Sequence, residues 1–423
     1  MDMYDVIIVG GGTAGCACAY NCGMLGLKTL LIEKSGCLGG TMTQGLVVPV
    51  MYAGKNQINQ EFYQKLIAEM KKYNGQITYK SNPGWFNPEL LKIVLDKILI
   101  EAGVKILFNT EISDIKTSKN EIVSISCSNI TGDRILSETN DTVYTNNVNP
   151  EKDRLSVCIG AKYYVDSTGN LNFSQKINCN FLENKNSFQP MSLRFIMGGV
   201  DLNTFGEWLL KTDSDREVTT VEYINGQTHL STAYTWDADK NWALANFFDD
   251  AVSKDILYDT DRNYFQVFTV AGMPNHLAFN CPRILETLNP YNNNDISNAL
   301  IKARQTILRL SEFCKIYFPG FKNAFIANIS DQIGIRSSKR IKGMYVYTID
   351  DLRSGKTFDK PVLISSYPVD VHSSIKNKST LEQNGEYQLP IESLMSADYN
   401  NLFVAGRGVS ADELAQGDRK SVV

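Results

Sequence analysis

The sequence contains few residues of the types that hold small disulfide-bonded or zinc-bound domains together. Its 423 residues include only three histidines and nine cysteines, and no two cysteines have the spacing CxxC. An odd number of cysteines without paired spacing argues against a disulfide scaffold or a zinc ribbon. We therefore expect no metal site, and a reducing compartment.

Long apolar runs and a large excess of charge are also missing. No stretch approaches the roughly 18 consecutive apolar residues that a membrane-spanning helix needs. The early apolar run at residues 6–9 is short and meets three glycines, unlike the apolar region of a secretory signal. The 42 Lys and Arg against 46 Asp and Glu give a net charge of −4, which argues against a nucleic-acid or anionic-membrane partner. We expect a cytoplasmic protein with no membrane span and no nucleic-acid partner.

The chain length and the order of the elements predict an α/β fold. A chain of 423 residues is two to three times the usual length of one domain. Its first residues have the pattern of strand, glycine turn, helix and strand, which is typical of a doubly wound parallel sheet. From about residue 175 the composition changes and aromatic residues cluster. We predict a nucleotide-binding domain at 1–175 with a β-hairpin insertion near 111–160, an inserted mixed α/β substrate domain at 176–330, and a return to the first domain at 331–423.

A glycine-rich turn follows the first predicted strand. It has the pattern GxGxxG, in which the first glycine permits a tight turn, the second lets backbone approach a pyrophosphate and the third allows close helix–strand packing. The start of the next helix supplies unpaired N–H groups and the positive end of a dipole. Glu33 ends the following strand, where a carboxylate can accept hydrogen bonds from ribose hydroxyls. These features predict the following dinucleotide contacts: Gly10, Gly12, Thr13, Ala14, Gly15, Glu33 and Lys34.

Two later elements favour FAD over NAD. The string Gly39-Gly40-Thr41 resembles the second glycine element of many flavoproteins. The segment 163–169 resembles the strand followed by ATG that closes the FAD site in such proteins. Each string is common, but their order and spacing after the first turn are typical of a flavoprotein with a Rossmann-like FAD-binding domain. We therefore expect six further FAD contacts: Gly39, Gly40, Thr41, Ile112, Thr168 and Gly169.

Five elements together resemble one group, the bacterial FAD-dependent oxidoreductases. Residues 39–49 resemble its element GG-x-x-T-x-G-L-V-x-P, and residues 402–411 resemble N-L-F-V-A-G-R-x-I-S-A. Between them, residues 276–283, 334–341 and 366–372 resemble H-x-N-T-T-R, G-x-R-E-S-R-R-I and S-Y-P-x-D-I-H. The resemblance implies FAD as the cofactor and adds two contacts near the flavin, Gly406 and Arg407.

Two features depart from the family pattern. Ser338 stands where the family usually has glutamate, so we expect no salt-bridging or catalytic carboxylate there. The family also continues after its Gly-Arg element into a glycine/alanine-rich helix whose N-terminus stabilises negative charge on the reduced flavin. Here the sequence ends with residues 418–423. We expect either a truncated sequence or a member that works without this helix, with weaker FAD binding.

The candidate catalytic residues are few because histidine is rare. His372 is the first candidate for a proton donor or acceptor, and a hydrogen bond to Asp370 that holds a loop is the alternative. His276 is the second candidate, whereas His229 is expected on the surface. Arg336 is expected to hold a substrate carboxylate or the flavin N1–C2=O end, with a solvated basic segment as the alternative.

Other residues narrow the chemistry. Aromatic residues at 205–265 predict a core, with a substrate pocket as the alternative. Arg340 shares the role predicted for Arg336. Cys16 and its two near neighbours on the first helix are expected to pack against the sheet. No cysteine pair follows the glycine elements, which disfavours a dithiol reductase. Arg407 takes the place of the aspartate of the monooxygenase Gly-Asp element, which disfavours oxygen insertion.

The sequence therefore predicts an FAD-dependent dehydrogenase or reductase. Hydride would pass between a small polar organic substrate and flavin N5, with the protein orienting the substrate. An electron acceptor or donor of unknown type would complete the cycle, and the absence of a second GxGxxG predicts no nicotinamide site. Two alternatives remain open. One is a flavoprotein that uses FAD structurally or for a non-redox isomerisation or hydration, and the other is a cofactor-poor relative that acts as a binding protein.

Overall fold

The computed structural model describes residues 3–50, 60–129, 158–183, 188–232, 234–235, 242–286, 288–366, 369–370, 380–381 and 385–416. Three predictions lie outside these residues. They concern the tip of the β-hairpin at 130–157, the candidate catalytic residue His372, and the chain end at 418–423.

The first sheet is built mainly from the N-terminal part of the chain. Its strands lie in the order β5-β2-β1-β8-β7-β6. The elements of this part are β1 (Met3–Val9), α1 (Thr13–Met24), β2 (Thr29–Ile32), α2 (Glu61–Lys72), β3 (Gln76–Tyr79), β4 (Asn82–Phe86), α3 (Pro88–Glu101), β5 (Lys105–Leu107), β6 (Thr110–Ser118), β7 (Glu121–Asn129), β8 (Cys158–Asp166), α4 (Asn172–Lys176) and β9 (Phe181–Leu182).

The parallel part of this sheet is centred on β1. Val9 lies beside Ile32 of β2 and Asp166 of β8, so the carboxyl ends of three parallel strands meet at one edge. The side chains of residues 6–9 are buried, as expected for a β-branched run covered on both faces. β7 runs antiparallel to β8 and forms a hairpin with β6. The predicted α/β fold with a parallel, Rossmann-like sheet is confirmed.

Helices α1, α2 and α3 pack together with one face of this sheet. α3 begins with Asn87 as its N-cap, whose side chain accepts hydrogen bonds from two backbone N–H groups of the first turn. The apolar face predicted for this helix is buried, including Leu91, Leu95 and Ile98. Lys97 on α3 forms a 2.8 Å ion pair with Glu69 on α2. The helices therefore form a fixed support behind the glycine turn.

The second sheet lies in the middle of the chain and has the strand order β12-β13-β16-β17-β11-β19. The elements of this part are β10 (Met191–Ser192), β11 (Phe195–Gly198), α5 (Leu202–Thr212), β12 (Thr220–Ile224), β13 (Gln227–Ser231), β14 (Tyr234–Thr235), α6 (Ala245–Ser253), β15 (Tyr264–Phe265), β16 (Val267–Thr269), β17 (Leu277–Phe279), β18 (Arg283–Ile284), α7 (Asn293–Tyr317) and β19 (Phe325–Ile329).

The two faces of the second sheet pack against different cores. One face joins α5, α6 and α7 in an aromatic core, in which Phe205, Phe248 and Phe265 are fully buried. The predicted aromatic cluster is therefore a core in this part of the chain. The other face carries Phe268 into the core of the first sheet, where its ring meets Trp85 edge to face at 5.6 Å. The second sheet thus covers the first part of the chain.

The last part of the chain returns to the first sheet. Its elements are β20 (Arg340–Ile341), α8 (Ile349–Arg353), β21 (Pro361–Ser365), β22 (Val369–Asp370), β23 (Thr380–Leu381), β24 (Tyr387–Pro390) and β25 (Leu402–Val404). β25 pairs in parallel with β8, and Val404 lies beside Asp166. The residues after β25 therefore reach the same sheet edge as the glycine turn.

Candidate functional site

The glycine turn lies between β1 and α1 and leaves open space at one position only. A methyl group in place of a hydrogen of Gly15 would lie 2.0 Å from the Gly10 carbonyl oxygen, and one at Gly10 would lie 2.7 Å from the Ser167 carbonyl oxygen. At Gly12, by contrast, the methyl group would meet nothing within 4 Å. Gly12 is also the N-cap of α1 and gives its N–H groups no side-chain cap. Protein atoms therefore fill the space beside Gly10 and Gly15, whereas the space beside Gly12 is open and adjoins the uncapped N–H groups of α1.

Glu33 follows β2 and is held against this turn. Its Oε2 accepts a 2.6 Å hydrogen bond from the Gly11 N–H, and its Oε1 accepts hydrogen bonds from the backbone N–H and hydroxyl of Ser35 at 2.8 and 2.7 Å. The side chain is buried. An ionised carboxylate offers about four lone-pair sites, two on each oxygen, so Oε2 retains acceptor capacity. The carboxylate is thus fixed in position and can still accept a ligand hydroxyl.

The second glycine element contacts the first directly. The Gly39 N–H donates to the Gly11 carbonyl at 2.8 Å, and a methyl group at Gly40 would lie 3.0 Å from the Gly12 Cα. The Thr13 hydroxyl donates weakly to the Gly39 carbonyl at 3.4 Å. Thr41 follows on an exposed position. The structure therefore brings the two predicted glycine elements together.

The third element joins the same edge through Asp166 and Ser167. The Ser167 hydroxyl donates to the carbonyls of Val9 and Gly10 at 2.9 and 2.6 Å. The fully buried Asp166 carboxylate accepts hydrogen bonds from the backbone N–H and hydroxyl of Thr168, and from those of Ser174. Gly169 follows with a φ of +76°. These bonds fix the segment that carries Thr168 and Gly169 against the glycine turn.

Gly406 and Arg407 complete the edge after β25. A methyl group at Gly406 would lie 3.4 Å from the Ala14 Cβ, at the first turn of α1. The Arg407 guanidinium donates to the Gly169 and Ile335 carbonyls at 2.7 and 2.8 Å, and to the Asn170 side chain at 2.6 Å. Burial lowers the pKa of Arg407 to about 10. The side chain connects three segments of the chain to each other.

Two predicted cofactor residues lie at the periphery. Lys34 is exposed beyond the end of β2. Ile112 lies on β6 with its side chain buried in the core on the far face of the sheet. A contact between Ile112 and the cofactor would therefore have to come from its backbone. The backbone N–H of Thr110 is closer to the site, because it donates to the Glu33 carbonyl at 3.1 Å.

The predicted catalytic residues come from separate segments of the chain. Arg336 lies in the segment after β19, one residue from Ile335, which binds Arg407. His276 precedes β17, and its Nδ1 lies 2.8 Å from the Pro274 carbonyl oxygen. The structure thus places His276 beside β17 and Arg336 after β19.

Two interpretations of individual residues are wrong. His229 is not on the surface: it is 3% exposed on β13, where its Nδ1 lies 3.1 Å from the Thr269 hydroxyl, and burial lowers its pKa. Gln227, Thr228 and Ser231 around it are polar, but the pairing of β13 with β12 and β16 buries His229 together with Leu230. Arg340 is not available to a ligand. Its buried guanidinium donates to the Ala411 and Glu183 carbonyls at 2.8 and 2.7 Å.

Sequence reasoning missed several residues that shape the site. Ser35 and Asp166 orient the glycine turn and the third element, and short polar residues beside a glycine element are the signal that could have identified them. Gln44 was missed as well. Its carbonyl accepts from the Ser330 hydroxyl at 2.8 Å and from the Asp331 N–H at 3.1 Å. No short sequence pattern predicts that contact, because Gln44 and its partners are far apart in sequence.

The arrangement fits a dinucleotide. The open space at Gly12 faces the uncapped N–H groups of α1, which is the geometry that accepts a pyrophosphate. The Glu33 carboxylate lies at the end of the neighbouring strand, within reach of a ribose, and would repel a 2′-phosphate. Gly39, Gly169 and Gly406 bring three further backbone segments to the same edge. These residues can hold the cofactor that the sequence predicts.

Comparison with known proteins gives one match over nearly the whole chain. Residues 5–418 match the family described as FAD dependent oxidoreductase.

Among the described residues, no helix has both the length and the apolar character required to cross a membrane.

Individual curated proteins match over short segments. A dihydrolipoyl dehydrogenase from Trypanosoma brucei brucei is 55% identical over 38 residues, which are 9% of this chain and 8% of that protein. A dihydrolipoyl dehydrogenase from Buchnera aphidicola subsp. Schizaphis graminum is 32% identical over 131 residues, 28% of this chain and 26% of that protein. A nicotine dehydrogenase from Pseudomonas putida is 54% identical over 37 residues, 9% and 8% of the two chains. The match thus spans at most about a quarter of these relatives.

Solved structures resemble the chain only distantly. A geranylgeranyl bacteriochlorophyll reductase-like protein from Thermoplasma acidophilum aligns over 99% of this chain and 72% of its own, with 13% identity and a TM-score of 0.41. A p-nitrophenol 4-monooxygenase from Pseudomonas putida aligns over 82% of this chain and 71% of its own, with 11% identity and a TM-score of 0.44.

Proposed function

Because the chain belongs to the FAD-dependent oxidoreductase family, we propose that it is a dehydrogenase or reductase that acts on a small polar organic substrate. Bound FAD supplies the atom, N5, that takes up or releases hydride. An electron acceptor or donor of unknown type restores the other oxidation state of the cofactor. The chain's own residues bind the cofactor, orient the substrate and move the accompanying proton.

Cofactor binding is supported above all by the open space at Gly12. In this proposal the N–H groups at the start of α1 bind the pyrophosphate and the α1 dipole stabilises its charge. Glu33 accepts hydrogen bonds from the ribose of the adenosine half, while its bond from the Gly11 N–H keeps the carboxylate in place. Arg407 acts as a positioning residue, since its guanidinium joins the segments around Gly169 and Ile335.

Proton transfer is assigned to His372 in this proposal. His276 remains the second candidate for that role. Arg336 is proposed to bind the substrate rather than to transfer a proton, because a guanidinium stays protonated at neutral pH. The hydride step then needs an acid or base beside the substrate, and histidine is the side chain whose ordinary pKa lies nearest neutrality.

Anaerobic spectroscopy tests the proposal. The purified protein is saturated with FAD, its flavin absorption band is recorded, and candidate alcohols, amines and hydroxy acids are added without oxygen. We expect the band to bleach with at least one donor, or the dithionite-reduced protein to recover it with an oxidised acceptor. A yellow protein that stays unchanged with every donor and acceptor favours structural or non-redox use of FAD. A protein that cannot be reconstituted with FAD contradicts the proposal entirely.

A further inference from the structure

A row of polar side chains crosses the face of the second sheet that is directed toward the first part of the chain. Arg194 Nε donates to the Asn280 Oδ1 at 2.7 Å, and Asn280 Nδ2 donates to the Gln266 Oε1 at 2.6 Å. Alternate residues of a strand lie on the same face. Two residues further along, this face carries apolar side chains that pack in the core of the first sheet: Ile196, Phe268 and Ala278.

Arg194 of this row is buried and the adjacent Arg283 is half-buried, and neither has a carboxylate partner among the described residues. Arg194 is 9% exposed, and burial together with the charge of Arg283 lowers its pKa to about 10. The Arg283 guanidinium carbon lies 3.5 Å from the ring centroid of Tyr264, and the buried Arg283 Nε makes no hydrogen bond. In the part of the chain that the structure describes, neither arginine takes part in an ion pair with an aspartate or glutamate. The two guanidinium charges are therefore only partly compensated, by the Tyr264 ring at Arg283 and by the Asn280 amide at Arg194.

Tyr264 lies between the polar row and Arg283. Its hydroxyl donates to the Gln266 Oε1 at 2.5 Å, and the Arg283 guanidinium stacks on its ring. Burial raises the pKa of the Tyr264 phenol, while the charges of Arg283, Arg336 and Arg194 oppose that rise. Arg336 is the residue that the sequence predicts to bind substrate.

Gly334 packs directly against two of these groups. A methyl group there would lie 2.9 Å from the Ser192 hydroxyl and 3.2 Å from the Arg194 Nη1. The Ser192 hydroxyl is buried and makes no hydrogen bond. Buried cations and donors cost free energy unless an acceptor satisfies them. A carboxylate would do so, because its two oxygens match the fork of a guanidinium.

One segment of the chain connects the row to the residues predicted to bind FAD. Ser330 N–H donates to the Arg194 carbonyl at 2.9 Å, and the Ser330 hydroxyl donates to the carbonyl of Gln44, just after the second glycine element. Five residues further along, the Ile335 carbonyl accepts from Arg407. The segment 330–335 thus runs between the arginine row and the FAD-binding edge.

We propose that Arg194 and Arg283, with the Ser192 hydroxyl, bind a carboxylate group of the substrate, so that the substrate is an organic acid. This inference rests on the proposed function, because it names the class of the substrate that exchanges hydride with the flavin. Arg194 provides the guanidinium edge and Arg283 adds charge from above Tyr264.

The test compares charged and neutral ligands on the same protein. Acetate and succinate are titrated into the FAD-loaded protein, with acetamide and sodium chloride at equal ionic strength as controls. Binding is followed by the thermal midpoint and by the flavin absorption spectrum. We expect both carboxylates to raise the midpoint and acetamide and chloride not to do so.

Variants locate the binding. Arg283→Gln is expected to weaken carboxylate binding at least tenfold, and Ser192→Ala by a smaller factor, while FAD affinity stays within twofold of wild type. Arg283→Lys is the second variant in case Arg283→Gln folds poorly. It keeps a cation and should therefore retain part of the affinity for carboxylates. The matched control is Arg262→Gln, which removes an arginine paired with Asp249 on the surface of the same part of the chain. It should leave carboxylate binding unchanged.

Other results overturn the inference. Equal effects of acetate and acetamide, or unchanged carboxylate binding in Arg283→Gln and Arg194→Gln, would show that the arginines do not bind carboxylates. A loss of FAD affinity in these variants without loss of carboxylate binding would assign the arginines to the flavin instead. The thermal assay also works on FAD-free protein. A midpoint shift with succinate in a protein that takes up no FAD would contradict the proposed function and leave the carboxylate site standing.

Discussion

Two neighbouring glycines of the same turn should respond to alanine in opposite ways. In Gly12→Ala the added methyl group meets no atom within 4 Å, and the φ of −68° suits alanine. The FAD-free protein should therefore be as stable as wild type or more stable by ~0.4–1 kcal/mol, because alanine reduces the entropy of the unfolded chain. FAD binding should weaken at least tenfold, ~1.4 kcal/mol, because the methyl group fills the space proposed for the pyrophosphate.

Gly15→Ala is the matched comparison. Its methyl group would lie 2.0 Å from the Gly10 carbonyl oxygen and 2.7 Å from the Ser167 hydroxyl. Alanine gains ~1 kcal/mol over glycine in a helix. The backbone contact is far inside the ~3.5 Å separation of non-bonded atoms, and overpacking of this kind typically costs ~1–3 kcal/mol or more. The FAD-free protein should lose stability, and FAD affinity should fall with it.

Two measurements separate these effects. Urea denaturation of the FAD-free proteins, followed by circular dichroism, gives the free energy of unfolding. Quenching of flavin fluorescence gives the dissociation constant for FAD. A Gly12→Ala variant that binds FAD as tightly as wild type would refute the assignment of the pyrophosphate to this space. A Gly15→Ala variant with wild-type stability would refute the packing argument.

Three further outcomes are expected. Glu33→Gln weakens the bonds from the Gly11 N–H and Ser35, and should lower the free energy of unfolding by ~1.5–3 kcal/mol and weaken FAD binding, measured by the same two assays. Arg407→Lys cannot bridge its carbonyl partners with a planar fork, so FAD affinity should fall about tenfold with an unchanged circular dichroism spectrum. The Lys72 and Lys97 ammonium groups lower the pKa of Glu69 to about 2 from 4.5. Its stabilising effect is therefore present above pH 4.5 and lost as the pH falls toward 2, and the acid unfolding of Glu69→Gln should show a weaker pH dependence there.

The FAD-binding edge could be predicted from the sequence because its parts are local. A β-branched run, a glycine turn and a helix are adjacent in the chain, and the parallel pairing of β1 with β2 brings Glu33 to the turn at the expected spacing. Each glycine is required by backbone geometry within a few residues, so short strings carry the information. The contact between Gly12 and Gly40 follows from the same geometry.

The burial of individual polar residues could not be predicted in this way. His229 lies in a polar hairpin, and only the pairing of β13 with β16 buries it beside Thr269. Arg340 and Arg336 are four residues apart in one basic string. Arg340 is enclosed by carbonyl groups from distant parts of the chain, whereas Arg336 lies near Tyr264. The charge of a residue can be read from the sequence, whereas the groups that surround it come from distant parts of the chain.

The sequence alone determined the α/β fold, the family and the cofactor, since these depend on periodicity and on glycine positions that act over short distances. Only the tertiary structure shows that Arg194 lies beside Asn280 and that Arg283 stacks on Tyr264. No local motif joins these residues. The pairing of β11 with β17 brings Arg194 to Asn280, and residues so far apart in sequence become neighbours only through that register.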